Sequence, residues 1–151
     1  MSKAILISIK PRFVADILNG KKTLEIRKTF PQCELPIDVY IYCTKDKEYA
    51  NLINRGGFLT GTVVAKFTLN DVRQIYTIHF GSYYEYKPVD MTQAHLEERG
   101  CVSALEIDEY LRKKKGYVWC IENLEIFDKP RTLQPFFDLD RPPQSWCYIE
   151  V

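Results

Sequence analysis

The sequence predicts an α+β fold, a small mixed β-barrel with helical insertions, on three observations. Six segments of strand length (residues 4–10, 23–28, 37–43, 61–69, 117–127 and 146–151) are apolar runs or alternate apolar and polar residues with period two. The stretches between them carry helix caps and Pro, Gly and Asn punctuation. Finally, 151 residues with 46% hydrophobic and 27% charged composition match the size of one domain with a substantial core, so residues 1–151 are expected to form a single domain. Several short strands of this kind suit a small barrel, but periodicity alone leaves the strand order open.

Ala4 to Ile9 is an apolar run that ends at Lys10-Pro11. Pro11 fits the first helical position, where a missing N–H costs nothing, and it pushes Lys10 toward an extended conformation. Phe13, Val14, Ile17 and Leu18 then recur at helical spacing, and Asn19-Gly20 supplies a helix end. In the next strand Leu24 and Ile26 alternate with Thr23, Glu25 and Arg27, which puts Glu25 and Arg27 on one face. After Pro31 and Pro36, Ile37, Val39, Ile41 and Cys43 face one way, and Asp38, Tyr40 and Tyr42 the other. A helical turn is expected within Lys45–Asn54, broken by Arg55-Gly56-Gly57, before the alternating strand 61–69.

Residues 72–89 are rich in aromatics and weak in pattern, and read as an extended connection. Thr92 caps a helix from Gln93 to Arg99 that Gly100 stops, and Ser103 caps a second helix running to Lys115, with acids at its start and bases at its end. Residues 117–127 form one long strand or two joined at Glu122-Asn123, ended by Asp128-Lys129-Pro130. A loop over 131–144 then precedes the last strand.

The string Ile9-Lys10-Pro11, followed by Gly20-Lys21-Lys22-Thr23-Leu24-Glu25-Ile26-Arg27, resembles the N-terminal signature of the ASCH domain. This is a PUA-like β-barrel family with a Gly-x-Lys-x-x-Glu-x-Arg core pattern, here Gly20, Lys22, Glu25 and Arg27. Tyr117 to Leu124 and Pro142-Pro143-Gln144-Ser145-Trp146 look like later motifs of its small bacterial and phage members, so the resemblance spans nearly the whole chain. It implies a PUA-like fold. It also implies a family of mostly inferred RNA-binding modules, some of whose members are enzymes. Amidohydrolases of the family cleave an acyl group from a modified cytidine with a Lys, a Thr and a Glu. Lys22 matches that Lys, Glu25 stands where the Thr should be, and Glu98 matches the distal Glu only loosely, so this mechanism does not carry over. Ribonuclease activity has been suggested for other members of the superfamily.

Two constellations carry the candidate chemistry. In the first, Arg27 can clamp a phosphate or base edge, while Glu25 orients the basic side chains or accepts a proton. A hydrolytic reading makes Lys22 and Glu25 the catalytic pair, with Lys22 or Arg27 stabilising an oxyanion. The bland alternative is a surface ion pair worth about 0–1 kcal/mol. The second is aromatic and amide-rich: Tyr40, Tyr42, Gln144, Ser145 and Trp146 offer base stacking and edge recognition, with Trp119 read as core and Trp146 as either site or core. Lys10 and Lys66 complete the expected basic cleft, giving a ligand-binding set of Lys10, Lys22, Glu25, Arg27, Tyr42, Lys66, Gln144, Ser145 and Trp146.

A net charge of +1 argues against a general nucleic-acid coat. It conceals an asymmetry: residues 1–30 hold seven bases against two acids, and residues 85–109 hold seven acids against two bases. Five scattered cysteines without a CxxC pair read as free thiols, and His79 and His95 have no partners at ligand or triad spacing, so neither metal nor cofactor is expected. Walker and GxGxxG loops are missing, which disfavours nucleoside-triphosphate chemistry. No apolar run reaches about 18 residues and no leader precedes the domain, so a cytoplasmic protein without a membrane span is expected. The sequence thus favours an RNA- or nucleotide-binding protein. The alternatives are a hydrolase on the same ligand class and a protein-interaction module built on the acidic helical region.

Overall fold

A computed structural model of the chain describes residues 2–46 and 60–151. Most of the helical turn expected within Lys45–Asn54, and the break at Arg55-Gly56-Gly57, lie outside the described residues. The strands are β1 (Lys3–Ile9), β2 (Leu24–Arg27), β3 (Ile37–Cys43), β4 (Thr62–Leu69), β5 (Val72–Phe80), β6 (Tyr83–Pro88), β7 (Gly116–Cys120), β8 (Glu122–Arg131) and β9 (Trp146–Glu150). The described helices are α1 (Pro11–Leu18), α2 (Gln93–Gly100) and α3 (Ala104–Leu111). The α+β class is as the sequence predicts. The ladders, however, fall into a five-stranded sheet, β8-β4-β3-β1-β9, and a four-stranded sheet, β2-β7-β5-β6.

β1 organises the larger sheet, pairing in parallel with β3 (Ile5 to Val39) and antiparallel with β9 (Ile5 to Tyr148). Ile5, Ile7 and Ile9 share one face with Val39, Ile41, Phe67, Val14, Ile17 and Trp119. Ala4 and Leu6 pack on the other face with Tyr40, Tyr42, Val63 and Phe137. A third cluster joins the smaller sheet to the two later helices through Leu24, Ile75, Val118, Leu96, Ile107 and Leu111. β7 and β8 are consecutive in sequence but belong to different sheets, and Ile121 between them donates its N–H to Thr23 O at 2.8 Å.

Local chemistry sets the ends of these elements. Pro11 opens α1 after an extended Lys10. Gly20, at φ +83°, takes the left-handed turn that an L side chain resists. Thr92 accepts from His95 N, and Ser103 and Glu106 form a reciprocal capping box. α3 stops at Leu111, short of the expected Lys115, because Arg112 and Lys113 turn left-handed and Lys113 N donates to Tyr86 Oη at 2.9 Å.

Two other expectations are corrected. Residues 72–88 form a hairpin instead of an extended connection; its exposed Tyr76, Ile78, Phe80 and Tyr83 hide the in–out alternation. β8 runs through Pro130 because it lies at the sheet edge, where a missing N–H breaks no ladder. All five cysteines are free, and no described helix is long and apolar enough to cross a membrane.

Candidate functional site

Three chain segments converge on a cleft of ≈ 590 Å³. The end of β1 and the start of α1 supply Ser8, Ile9, Lys10, Arg12 and Phe13. β2 and the turn before it supply Lys22, Glu25, Ile26 and Arg27, and α3 with its approach supplies Val102, Glu106, Ile107, Glu109 and Tyr110. Thr44, Gln144 and Ser145 complete the wall.

The floor is the Lys22–Glu25–Arg27 trio. Lys22 and Glu25 are buried, at 2% and 6% exposure. Lys22 Nζ lies 3.1 Å from Glu25 Oε1 and donates to Leu24 O and Gly100 O, each at 2.7 Å. Its ammonium also sits 5.0 Å from the centre of the Phe13 ring. Arg27 donates to Glu25 Oε2 from Nη2 at 2.8 Å and from Nε at 3.3 Å. Arg27 also donates to Ser8 O at 2.7 Å, and to Ser145 Oγ and O at 3.0 and 3.3 Å. Burial alone would push the Glu25 carboxyl up. The charges and hydrogen bonds of Lys22 and Arg27 outweigh it and hold the carboxyl below its usual range. The sequence's bland alternative of a surface ion pair therefore does not describe this trio.

Above the floor, Arg12 of α1 pairs with Glu106 of α3. The basic N-terminal stretch and the acidic later stretch thus meet across the cleft. Its lining holds four bases (Lys10, Arg12, Lys22, Arg27) and three acids (Glu25, Glu106, Glu109), so it is close to electrically balanced. Tyr110 stands at the wall, its hydroxyl pKa raised by burial, and the Lys28 ammonium lies 4.7 Å from the centre of its ring.

Of the residues singled out from the sequence, Lys10, Lys22, Glu25, Arg27, Gln144 and Ser145 line the cleft. Trp146 does not. Its indole donates to Thr29 Oγ1 at 2.9 Å and packs edge-on against buried Trp119, at 5.4 Å between ring centres. Tyr42 and Lys66 are also not brought to the cleft. Tyr42 is buried on the opposite face of the large sheet, and Lys66 pairs there with Asp38 and Glu125 near the Tyr40 ring. Period two assigns both residues to a strand face but does not say which face meets the ligand. Sequence reasoning missed Ser8, Arg12, Phe13, Thr44, Glu106, Glu109 and Tyr110. The opposite charges of 1–30 and 85–109 were the one signal that pointed to the Arg12–Glu106 contact.

No family model and no curated protein sequence matches the chain. Among solved structures it is similar to an ASCH protein from Zymomonas mobilis, with a TM-score of 0.68 and 19% identity over 97% of this chain and 87% of that one. It is also similar to two variants of that protein. The serine-to-alanine variant gives a TM-score of 0.70 and 18% identity, over 97% and 88% of the two chains. The tyrosine-to-phenylalanine variant gives 0.64 and 19%, over 99% and 91%. Strand content, helix placement and these alignments define an α+β protein of one shared fold. Its fold is the ASCH fold.

Proposed function

We propose that this single-domain protein binds RNA or a modified nucleotide in the cleft between β1, β2, α1 and α3. The observation that carries the reading is the cleft itself. A volume of ≈ 590 Å³ suits a nucleoside-sized ligand, and apolar Phe13, Ile26 and Ile107 line the cleft together with the polar, buried trio. Lys10 and Gln144 are exposed at the rim and placed to meet a ribose or phosphate, beside Ser145, which already accepts from Arg27. The resemblance of the Lys22, Glu25 and Arg27 pattern to a family of mostly inferred RNA-binding modules supports the same reading.

Binding is favoured over hydrolysis. A hydrolase needs a donor aimed at the oxygen that gains charge. Lys22 and Arg27, the two groups placed to serve, already spend their N–H groups on Glu25, backbone carbonyls and Ser145. The test is titration with nucleosides and short single-stranded RNAs, followed by tryptophan fluorescence, since Trp146 adjoins the rim residue Ser145. Saturable binding is expected, weakened at least about threefold in a Lys10→Ala/Gln144→Ala variant. A flat titration across the whole panel, or binding unchanged by the rim variant, would overturn the proposal.

A further inference from the structure

The hydrogen bonds of the cleft floor restrict what the ligand can offer it. An ammonium has three protons and a guanidinium five, while an ionised carboxylate has about four lone-pair sites. Lys22 directs its protons at Leu24 O, Gly100 O and Glu25 Oε1. Arg27 makes five hydrogen bonds, two to Glu25 Oε2, one to Ser8 O and two to Ser145. Glu25 therefore has both sites of Oε2 and one site of Oε1 filled. The floor has no donor left to give, and it has one acceptor place.

An ionised phosphodiester brings only acceptors, so it finds no partner on that floor, and the near-balance of bases and acids in the lining gives any phosphate little general attraction. From this we infer that the cleft reads a hydrogen-bond donor: an exocyclic amino group of a nucleobase, donating to Glu25 Oε1, with the phosphate left outside at the rim. The inference rests on the nucleotide reading above. An exocyclic amine is favoured over a ring imide for two reasons. Glu25 is only 6% exposed, so the donor must project from the ring edge to reach it. An imide N–H lies between two carbonyls, whose lone pairs would face a floor without donors. Phe13 is then a lining aromatic ring available to pack against the base.

The experiment alters the ligand before the protein. Adenosine and cytidine are titrated beside their N-monomethyl derivatives, which keep one N–H, and their N,N-dimethyl derivatives, which keep none. Uridine, the 5′-monophosphates, inorganic phosphate and a mixed-sequence short RNA complete the panel. At least one amino-bearing nucleoside should bind, with its monomethyl form within about threefold. The dimethyl form should be weaker by about tenfold or more, the loss expected for a hydrogen bond to a charged acceptor. The 5′-phosphate should add less than about threefold.

In Glu25→Gln the preference for the amino form over the dimethyl form should shrink, a ratio that a general loss of stability does not change. Equal affinity for amino and dimethyl forms overturns the donor assignment. So does a tenfold gain from the 5′-phosphate, or competition by inorganic phosphate. Failure of every nucleoside, nucleotide and RNA to bind refutes the nucleotide reading itself.

Discussion

Replacing Lys22 with methionine is expected to be the most costly single change in the cleft. The variant keeps most of the side-chain length and the contact with Phe13 but removes the charge, so Leu24 O, Gly100 O and Glu25 Oε1 each lose a 2.7–3.1 Å partner at a buried site. Removing one partner of a buried ion pair costs about 3–5 kcal/mol. Each carbonyl left unpaired adds about 1–3 kcal/mol. Glu25 keeps Arg27, and methionine gains from apolar contact, so the net loss should lie near about 3–5 kcal/mol. A domain has about 5–15 kcal/mol in total, which makes this a large fraction.

The assay is urea unfolding followed by tryptophan fluorescence. With a slope of about 2 kcal/mol per molar urea, the midpoint should fall by about 2 M while the slope stays constant. Lys21→Met, at the exposed neighbouring position, should move stability by less than about 0.5 kcal/mol. A cycle with Glu25→Gln should show that the two losses are not additive, since the two groups share a contact. A loss below about 1 kcal/mol for Lys22→Met, or strict additivity, would refute the argument that the trio is a buried, mutually satisfied unit.

Two further outcomes follow from the charges. Because Glu25 has a folded-state pKa below its usual value of about 4.5, its contribution to stability is fully present above that value and is lost as pH falls through the lower folded value. Unfolding free energy should therefore drop below about pH 4.5 in the wild type and more shallowly in Glu25→Gln, and parallel profiles would contradict the assignment. Affinity for a short single-stranded RNA should depend weakly on salt. With Arg12 held by Glu106 and Lys22 and Arg27 engaged, Lys10 is the lining cation without an ion-pair partner among the described residues. The slope of log K against log salt should then be about −0.7 to −1.4, as for one or two phosphates, and a slope steeper than about −3 would require a basic surface elsewhere.

What the sequence made legible was what short-range chemistry controls. Alternation located β2, β3 and β4, Pro11 opened α1, and Thr92 and Ser103 marked two helix starts through their side-chain oxygens. The 72–88 hairpin stayed hidden because the face of its first strand that the core does not cover carries Tyr76, Ile78 and Phe80 instead of polar residues. Pro130 read as a stop because a strand's position at a sheet edge is a property of the whole topology. The burial of Lys22 was not legible for a related reason. The decisive partner, Gly100 O, is a backbone carbonyl 78 residues away, and no residue type announces it.

The trio therefore holds the cleft's walls together as well as forming its floor. Lys22 joins the β2 turn to the end of α2 through Gly100 O. Arg27 joins β2 to the end of β1 through Ser8 O and to the segment before β9 through Ser145. Ser8 in turn donates Oγ to Pro143 O at 2.7 Å, closing the same circuit. Glu25 is the common acceptor that fixes both cations at once. Substitution of Lys22 or Arg27 must then alter cleft shape along with any ligand contact, so a loss of binding in either variant does not show that the residue touches ligand. Substitutions at exposed Lys10 and Gln144 do not disturb this circuit. Their effects, together with donor-deleted ligands, separate recognition from architecture where changes to the trio would merge them.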